Sequence, residues 1–262
     1  MQLVEATDEF PVRVEVEAGI GIATMHRPEA RNAINPAMRR ALRSALADLE
    51  ANDEVDVMIL TGTDPAFSAG LDLKVLSVQT PEEANFGAGS RSPFPGRTKP
   101  LIGAVNGVAI TGGFELALNC DFLIASEQAR FADTHARVGV MPGWGLTPLL
   151  ADAVGRTRAR QISLTGNFVG AGQALDWGLV NEVVAHSELM SRTKELAAAI
   201  VDNDQLGVHQ MLATYQSQED AALGALWQLE TDGATAFGKQ TTPGAEIAAR
   251  RESVMQRGRT QL

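Results

Sequence analysis

Glu115 follows a Gly112-Gly113 pair in the run Asn106-Gly107-Val108-Ala109-Ile110-Thr111-Gly112-Gly113-Phe114-Glu115-Leu116-Ala117, which leads from an apolar strand into a helix. Paired glycines at such a junction leave backbone N–H groups of the first helical turn without partners. Those groups, at the positive end of the helix, can hold an oxygen that is gaining negative charge. Glu115, one turn inside, is a carboxylate placed beside the same spot. An oxyanion holder and a carboxylate in one short segment point to proton-transfer chemistry at a carbonyl or thioester. The alternative for Glu115 is a helix-start carboxylate favoured only by the macrodipole.

Other reactive residue types are sparse. Histidines occur at 26, 135, 186 and 209, and no Cys/His spacing suits zinc, so no metal site is expected. The one cysteine, Cys120, has no internal disulfide partner and sits in an apolar run, which predicts a buried, inert thiol. The chain carries 32 Asp+Glu against 22 Lys+Arg. That balance argues against general nucleic-acid or membrane-surface binding, both of which use a basic face, yet leaves room for a small anionic ligand met by a few local cations. The first residues are acidic and lack an apolar core, unlike a secretory signal. No window approaches the ~18 apolar residues of a membrane span. A soluble, cytoplasmic protein is the expectation.

The elements that must position Glu115 are short. Val12–Val16 alternates apolar with charged and Ile20–Met25 follows Ala18-Gly19, which predicts a hairpin. Asn35-Pro36 opens a helix to about Ala51, with Met38, Leu42, Leu46 and Leu49 on one stripe. Val57–Thr61, Leu101–Val105, Phe122–Ala125 and a segment near Phe131 read as short apolar strands, with helices from Leu146 onward. Apolar strands separated by helices predict an α/β core with largely parallel pairing, in a chain whose 262 residues and 45% hydrophobic content suffice for a full core. The segment between Ser77 and Lys99 reads as a long insert, either a solvated loop or a lid or wall for an acyl chain. From Ser187 onward the pattern is almost continuous helix, broken near Asn203-Asp204, Gly207 and Thr242-Pro243-Gly244.

Four segments in this order resemble the enoyl-CoA hydratase/isomerase family, the crotonase superfamily. They are His26-Arg27-Pro28-Glu29-Ala30-Arg31-Asn32-Ala33; Ile59-Leu60-Thr61-Gly62 through Ala66-Phe67-Ser68-Ala69-Gly70-Leu71-Asp72-Leu73; Asn106–Asp121; and Leu164-Thr165-Gly166 followed by Ala174-Leu175-Asp176-Trp177-Gly178-Leu179-Val180. The resemblance implies an α/β spiral of ββα units over residues 1–186, and a helical C-terminal region over 187–262 that serves oligomerisation and site cover. It implies a homotrimer or homohexamer and an acyl-CoA thioester substrate, with no cofactor beyond the coenzyme A of the substrate itself. Its oxyanion hole falls on the amides of Leu71 and Gly112. Its coenzyme A contacts fall near Ala30, Ala33 and Ala69, with Gly70, Asp72, Leu73, Gly113 and Trp144 also at the site. Asp72 is equally suited to capping the turn that follows it, and Arg27 or Arg31 can meet a coenzyme A phosphate. The indole of Trp144 stands where relatives carry a small residue, and would reshape the acyl end.

The family hydratases carry a second glutamate about twenty residues after the first, and its place here is His135. Water addition to a conjugated thioester needs one group to activate water and one to protonate the α-carbon, so the pair would be Glu115 and His135. A histidine with an ordinary pKa of about 6.5 can take either part; alternatively, the ring is simply satisfied by hydrogen bonds in a polar wall. Asp133 could supply a carboxylate if the segment bends; on a continuing strand it would share the face of His135 at greater distance. The resemblance thus implies an enoyl-CoA hydratase. The alternatives are a Δ3,Δ2-enoyl-CoA isomerase using a single carboxylate and a non-catalytic acyl-CoA-binding relative.

Overall fold

The structure, a computed structural model, describes residues 2–76, 92–241 and 243–261. Its strands are β1 (Gln2–Val4), β2 (Val12–Glu17), β3 (Gly19–Met25), β4 (Val55–Gly62), β5 (Ala66–Ser68), β6 (Leu101–Val105), β7 (Val108–Ile110), β8 (Phe122–Ser126), β9 (Arg130–Ala132), β10 (Val169–Gly170) and β11 (Glu182–Val184). Its helices are α1 (Pro36–Ala51), α2 (Leu73–Leu76), α3 (Gly112–Leu118), α4 (His135–Val138), α5 (Leu146–Val154), α6 (Arg156–Thr165), α7 (Ala171–Asp176), α8 (Leu189–Val201), α9 (Gln205–Gly238) and α10 (Pro243–Arg259). Among the described residues no helix is long and apolar enough to cross a membrane.

The strands form two sheets. The larger runs β1-β2-β3-β4-β6-β8-β11; β1 to β3 pair antiparallel and β3 to β11 parallel. Its central strands are buried on both faces, which explains their near-continuous apolar sequences. Alternate residues serve opposite cores. Met58, Leu60, Leu101, Val105 and Leu123 join the core that includes the α1 stripe Met38, Leu42, Leu46 and Leu49. Val57, Ile59, Ile102, Ala104 and Ile124 pack with Leu189 and Ala197 of α8. Helix α1 begins as its sequence predicts: the Asn35 side chain accepts the Met38 amide at 2.8 Å and Pro36 occupies the first turn.

The smaller sheet, β10-β9-β7-β5, positions the site. Strands β5, β7 and β9 are parallel, so their carboxyl ends lie at one edge. Three residues past β5 comes Leu71, two past β7 comes Gly112, and three past β9 comes His135. Ligands of parallel sheets gather at this edge.

Two expectations change. Gly207 does not break the C-terminal helix but lies in the first turn of α9, where its amide donates to the Asp204 cap at 2.9 Å. Strand β9 stops at Ala132, so Asp133 is not on a strand, and His135 opens a short helix. Of the Ser77–Lys99 insert, residues 77–91 lie outside the described residues.

Candidate active site

Gly70 adopts φ +83°, and a Cβ there would collide with the Ile110 carbonyl oxygen and approach the Gly112 nitrogen to 3.3 Å. A side chain at position 70 would therefore force apart the two segments that carry the suspected oxyanion donors. Leu71 forms an isolated parallel bridge with Ile34 in which the Ile34 amide donates to Gly70 and the Asp72 amide to Ile34. That pattern turns the Leu71 amide the other way. Gly112 is the first residue of α3. Among the described residues neither amide has a hydrogen-bond acceptor. The two residues adjoin, since a Cβ on Gly112 would lie 3.5 Å from the Leu71 side chain. The pair thus leaves two neighbouring amides open at this edge, the arrangement that a developing oxyanion requires.

Thr111, just before Gly112, has φ 54° and ψ −114°, a backbone region that a β-branched residue rarely enters. Three bonds hold it there: its amide donates to Ala132 at 2.9 Å, its carbonyl accepts from Glu115, and its hydroxyl lies 2.6 Å from that of Thr134. The strained residue thus aims the Gly112 amide and ties α3 to the segment bearing His135. Nothing in its sequence context marks it.

Glu115 and His135 are each 3% exposed and meet, His135 Nε2 lying 3.4 Å from Glu115 Oε2. Glu115 Oε1 accepts the amides of Gly143 and Trp144 at 3.0 and 2.7 Å. On the other side of the ring, His135 Nδ1 lies 2.7 Å from Asp133 Oδ1, which also accepts the His135 amide at 3.1 Å. Burial disfavours charge on the imidazole, but hydrogen bonds and charge from Asp133 and Glu115 outweigh it and push its pKa up to about 10. Burial likewise works against ionised Asp133, yet the bonds and charge from His135, with a bond from Ser163, hold it below the ordinary range. The two carboxylates thus favour the protonated ring, shifting His135 upward from the ordinary value near 6.5. Asp133 is its direct partner rather than a distant neighbour.

A cavity of about 540 Å³ opens beside this edge. Ala30, Ala33, Ala69, Leu71, Asp72 and Leu73 line it, together with Thr111 and Thr134. Glu115, His135, Gly70, Gly112, Gly113 and Trp144 are not among its lining residues. Gly113 is buried in the first turn of α3, and the Trp144 indole is 4% exposed within the main core. The C-terminal helix contributes Val254, Met255, Gly258 and Arg259 to the wall. Asp72 lines the cavity, and its carboxylate accepts the Lys74 amide at 3.1 Å, the local turn bond expected of it. It also pairs with Arg27 at 3.4 Å, whose guanidinium donates to the Ala33 carbonyl at 2.7 Å. Arg31 is exposed and lines the cavity. The Cys120 thiol donates to the Leu116 carbonyl, and burial pushes its pKa up, which keeps it protonated.

Two sheets, with the amides of Leu71 and Gly112, the Glu115 carboxylate and the His135 ring gathered at the strand ends of the smaller one, make this a crotonase-fold protein. A family profile described as Enoyl-CoA hydratase/isomerase matches residues 15–246, and the chain belongs to that family. It is 36% identical over 241 residues to a protein of Arabidopsis thaliana named probable enoyl-CoA hydratase 1, peroxisomal, covering 89% of each chain. It is 38% identical to the short-chain-enoyl-CoA hydratase of Clostridium acetobutylicum, covering 75% of this chain and 77% of that one. The crystal structure of an enoyl-CoA hydratase from Mycobacterium tuberculosis H37Rv superposes with a TM-score of 0.80 at 47% identity, covering 87% of this chain and 98% of the other.

Proposed function

We propose that this protein is an enoyl-CoA hydratase in which Glu115 is the base and His135, as imidazolium, the acid. The carrying observation is the buried Glu115/His135 contact on the same strand-end edge as the unpaired amides of Leu71 and Gly112. The thioester oxygen takes the two amides, and the acyl-bearing end reaches Glu115. Glu115 removes a proton from water, the oxygen adds to C3, and the C2–C3 π pair moves into an enolate held by the amides. His135 Nε2 then gives its proton to C2. The proton on Glu115 passes back to His135 across their 3.4 Å contact, so water is added and both residues are restored. Main-chain donors suit this task because they need no reorganisation as charge develops.

The coenzyme A moiety lies in the cavity against Ala30, Ala33 and Ala69, with Arg31 and Arg259 at hand for its phosphates and α10 covering one side. One observation favours the isomerase as second reading. With His135 already protonated, Glu115 is the one base of the pair, and one base suffices to move a proton between C2 and C4. The test is incubation with a panel of 2-enoyl- and 3-enoyl-CoA thioesters and identification of products by mass and by double-bond position. Gain of one water supports the hydratase; migration without water supports the isomerase; unchanged thioester that nonetheless binds leaves an acyl-CoA-binding protein.

A further inference from the structure

A second buried carboxylate stands behind the loop that holds Glu115. Glu230 of α9 is 6% exposed. Its Oε1 accepts the Gly145 amide at 2.7 Å, and its Oε2 accepts both the amide and the hydroxyl of Thr147 at 2.7 Å. The two residues just before, Gly143 and Trp144, give their amides to Glu115. The loop and the first turn of α5 thus hand four amides to two carboxylates, two to each. Trp227, three residues earlier on the same face of α9, closes over the loop from the same side. Gly145 has φ +84°, and a Cβ there would run into the Trp227 ring. Burial of a carboxylate is costly unless its bonds are fixed. Here burial raises the Glu230 pKa, and the charge of Glu115 adds to the rise. An apolar residue would fill the same space without that cost, but would leave the Gly145 and Thr147 amides unmatched.

We propose that Glu230 is a positioning residue for the reaction: by fixing the Gly145 and Thr147 amides, it sets the direction of the Gly143 and Trp144 amides that orient Glu115. The proposal rests on the catalytic role of Glu115 proposed above. A loop tilted by a fraction of an ångström would turn Glu115 Oε2 away from the water, while the cavity that holds coenzyme A, on another side of the edge, stays as it is.

The test compares wild type, Glu230→Gln and Thr147→Val. Glu230→Gln keeps the shape but replaces one acceptor with a donor, and Thr147→Val removes the hydroxyl bond alone. Two readouts are taken on the folded proteins: kcat and KM for enoyl-CoA hydration, and hydrogen exchange of the Gly143 and Trp144 amides by NMR. The expected result for Glu230→Gln is a kcat lower by about 10-fold with KM within about twofold, the scale of a modest misplacement of a reacting group, together with faster exchange at both amides. Thr147→Val should give a smaller step in the same direction. A Glu230→Gln protein with wild-type kcat and unchanged exchange at Gly143 and Trp144 overturns the proposal, whatever its melting temperature, as does a rise in KM at constant kcat. Should wild type itself turn over no thioester, the activity falls. Glu230 is then judged on the exchange arm, where unchanged protection refutes the positioning.

Discussion

At the scale of single residues, the site turns on the His135 ring, which lies between the carboxyl groups of Asp133 and Glu115. If Glu115 is the base, Glu115→Gln should lower turnover by at least ~100-fold, the usual contribution of one general acid or base. Binding of a saturated acyl-CoA, measured by calorimetry, should stay nearly unchanged, because Glu115 does not line the cavity. Equal losses of affinity and stability would make the glutamate structural. His135 carries a pH signature of its own. Its folded pKa of about 10 lies above the ordinary 6.5, so the folded chain binds more protons than the unfolded chain between these values. The stabilisation is fully present below about pH 6.5 and is lost as pH rises through about 10. Urea midpoints should therefore fall across that window in wild type, and less steeply in His135→Gln. Water addition should show no limb near pH 6.5 that depends on His135; a limb there that vanishes in His135→Gln would overturn the imidazolium. The residue type and its place were legible in the sequence, but its charge was not. That charge depends on Asp133 leaving the strand and turning its carboxylate to Nδ1, a bend that the run Phe131-Ala132-Asp133-Thr134-His135 allows but does not choose over a continuing strand.

At the scale of elements, the site is the shared edge of three short parallel strands. The strands of the large sheet and helix α1 were legible because burial on both faces, or on one stripe, leaves a periodic apolar record. Strands β5 and β7, three residues each, are too short for any period. Strand β7 was legible only as the apolar run leading into the paired glycines, and β5 was not legible as a strand at all. The edge was legible only through its glycines, and Gly70 carries the clearest consequence. Gly70→Ala puts a methyl group against the Ile110 carbonyl oxygen at φ +83°, a strain of about 1–3 kcal/mol from the backbone conformation alone. The collision separates the Leu71 and Gly112 amides. The variant should melt at lower temperature, and its folded fraction should lose hydration rate as well. Retention of full kcat/KM in the folded fraction would place the oxyanion hole elsewhere. Thr111 went unread for the opposite reason. A β-branched residue in a conformation that favours glycine contradicts local preference, and only the packing of Ala132, Glu115 and Thr134 around it explains its backbone.

At the scale of the whole molecule, helix α9 carries two stripes at once. Leu223, Trp227 and Glu230 are buried against the core, whereas Met211, Tyr215, Leu226 and Leu229 are exposed. At about 100° per residue the latter four fall within about 60° of one another on a face distinct from the buried one. Two neighbouring apolar stripes blur the periodicity, which is why the sequence announces a long helix there without saying which side meets its own core. An exposed apolar stripe of this length marks an interaction surface. If the trimer or hexamer implied by the family resemblance forms, a second copy of the chain is its occupant. The wild-type protein should then sediment at three or six times the 27.8 kDa chain mass. Met211→Glu combined with Leu229→Glu should shift the distribution toward smaller species, since a charge buried without a partner opposes association. Both side chains lie outside the cavity lining and the contacts of Glu115, so binding of a saturated acyl-CoA to the dissociated chain should persist. A wild type that sediments as a monomer, or a double variant with unchanged mass, would remove this stripe as the assembly surface, and the substitutions would then report only on solubility.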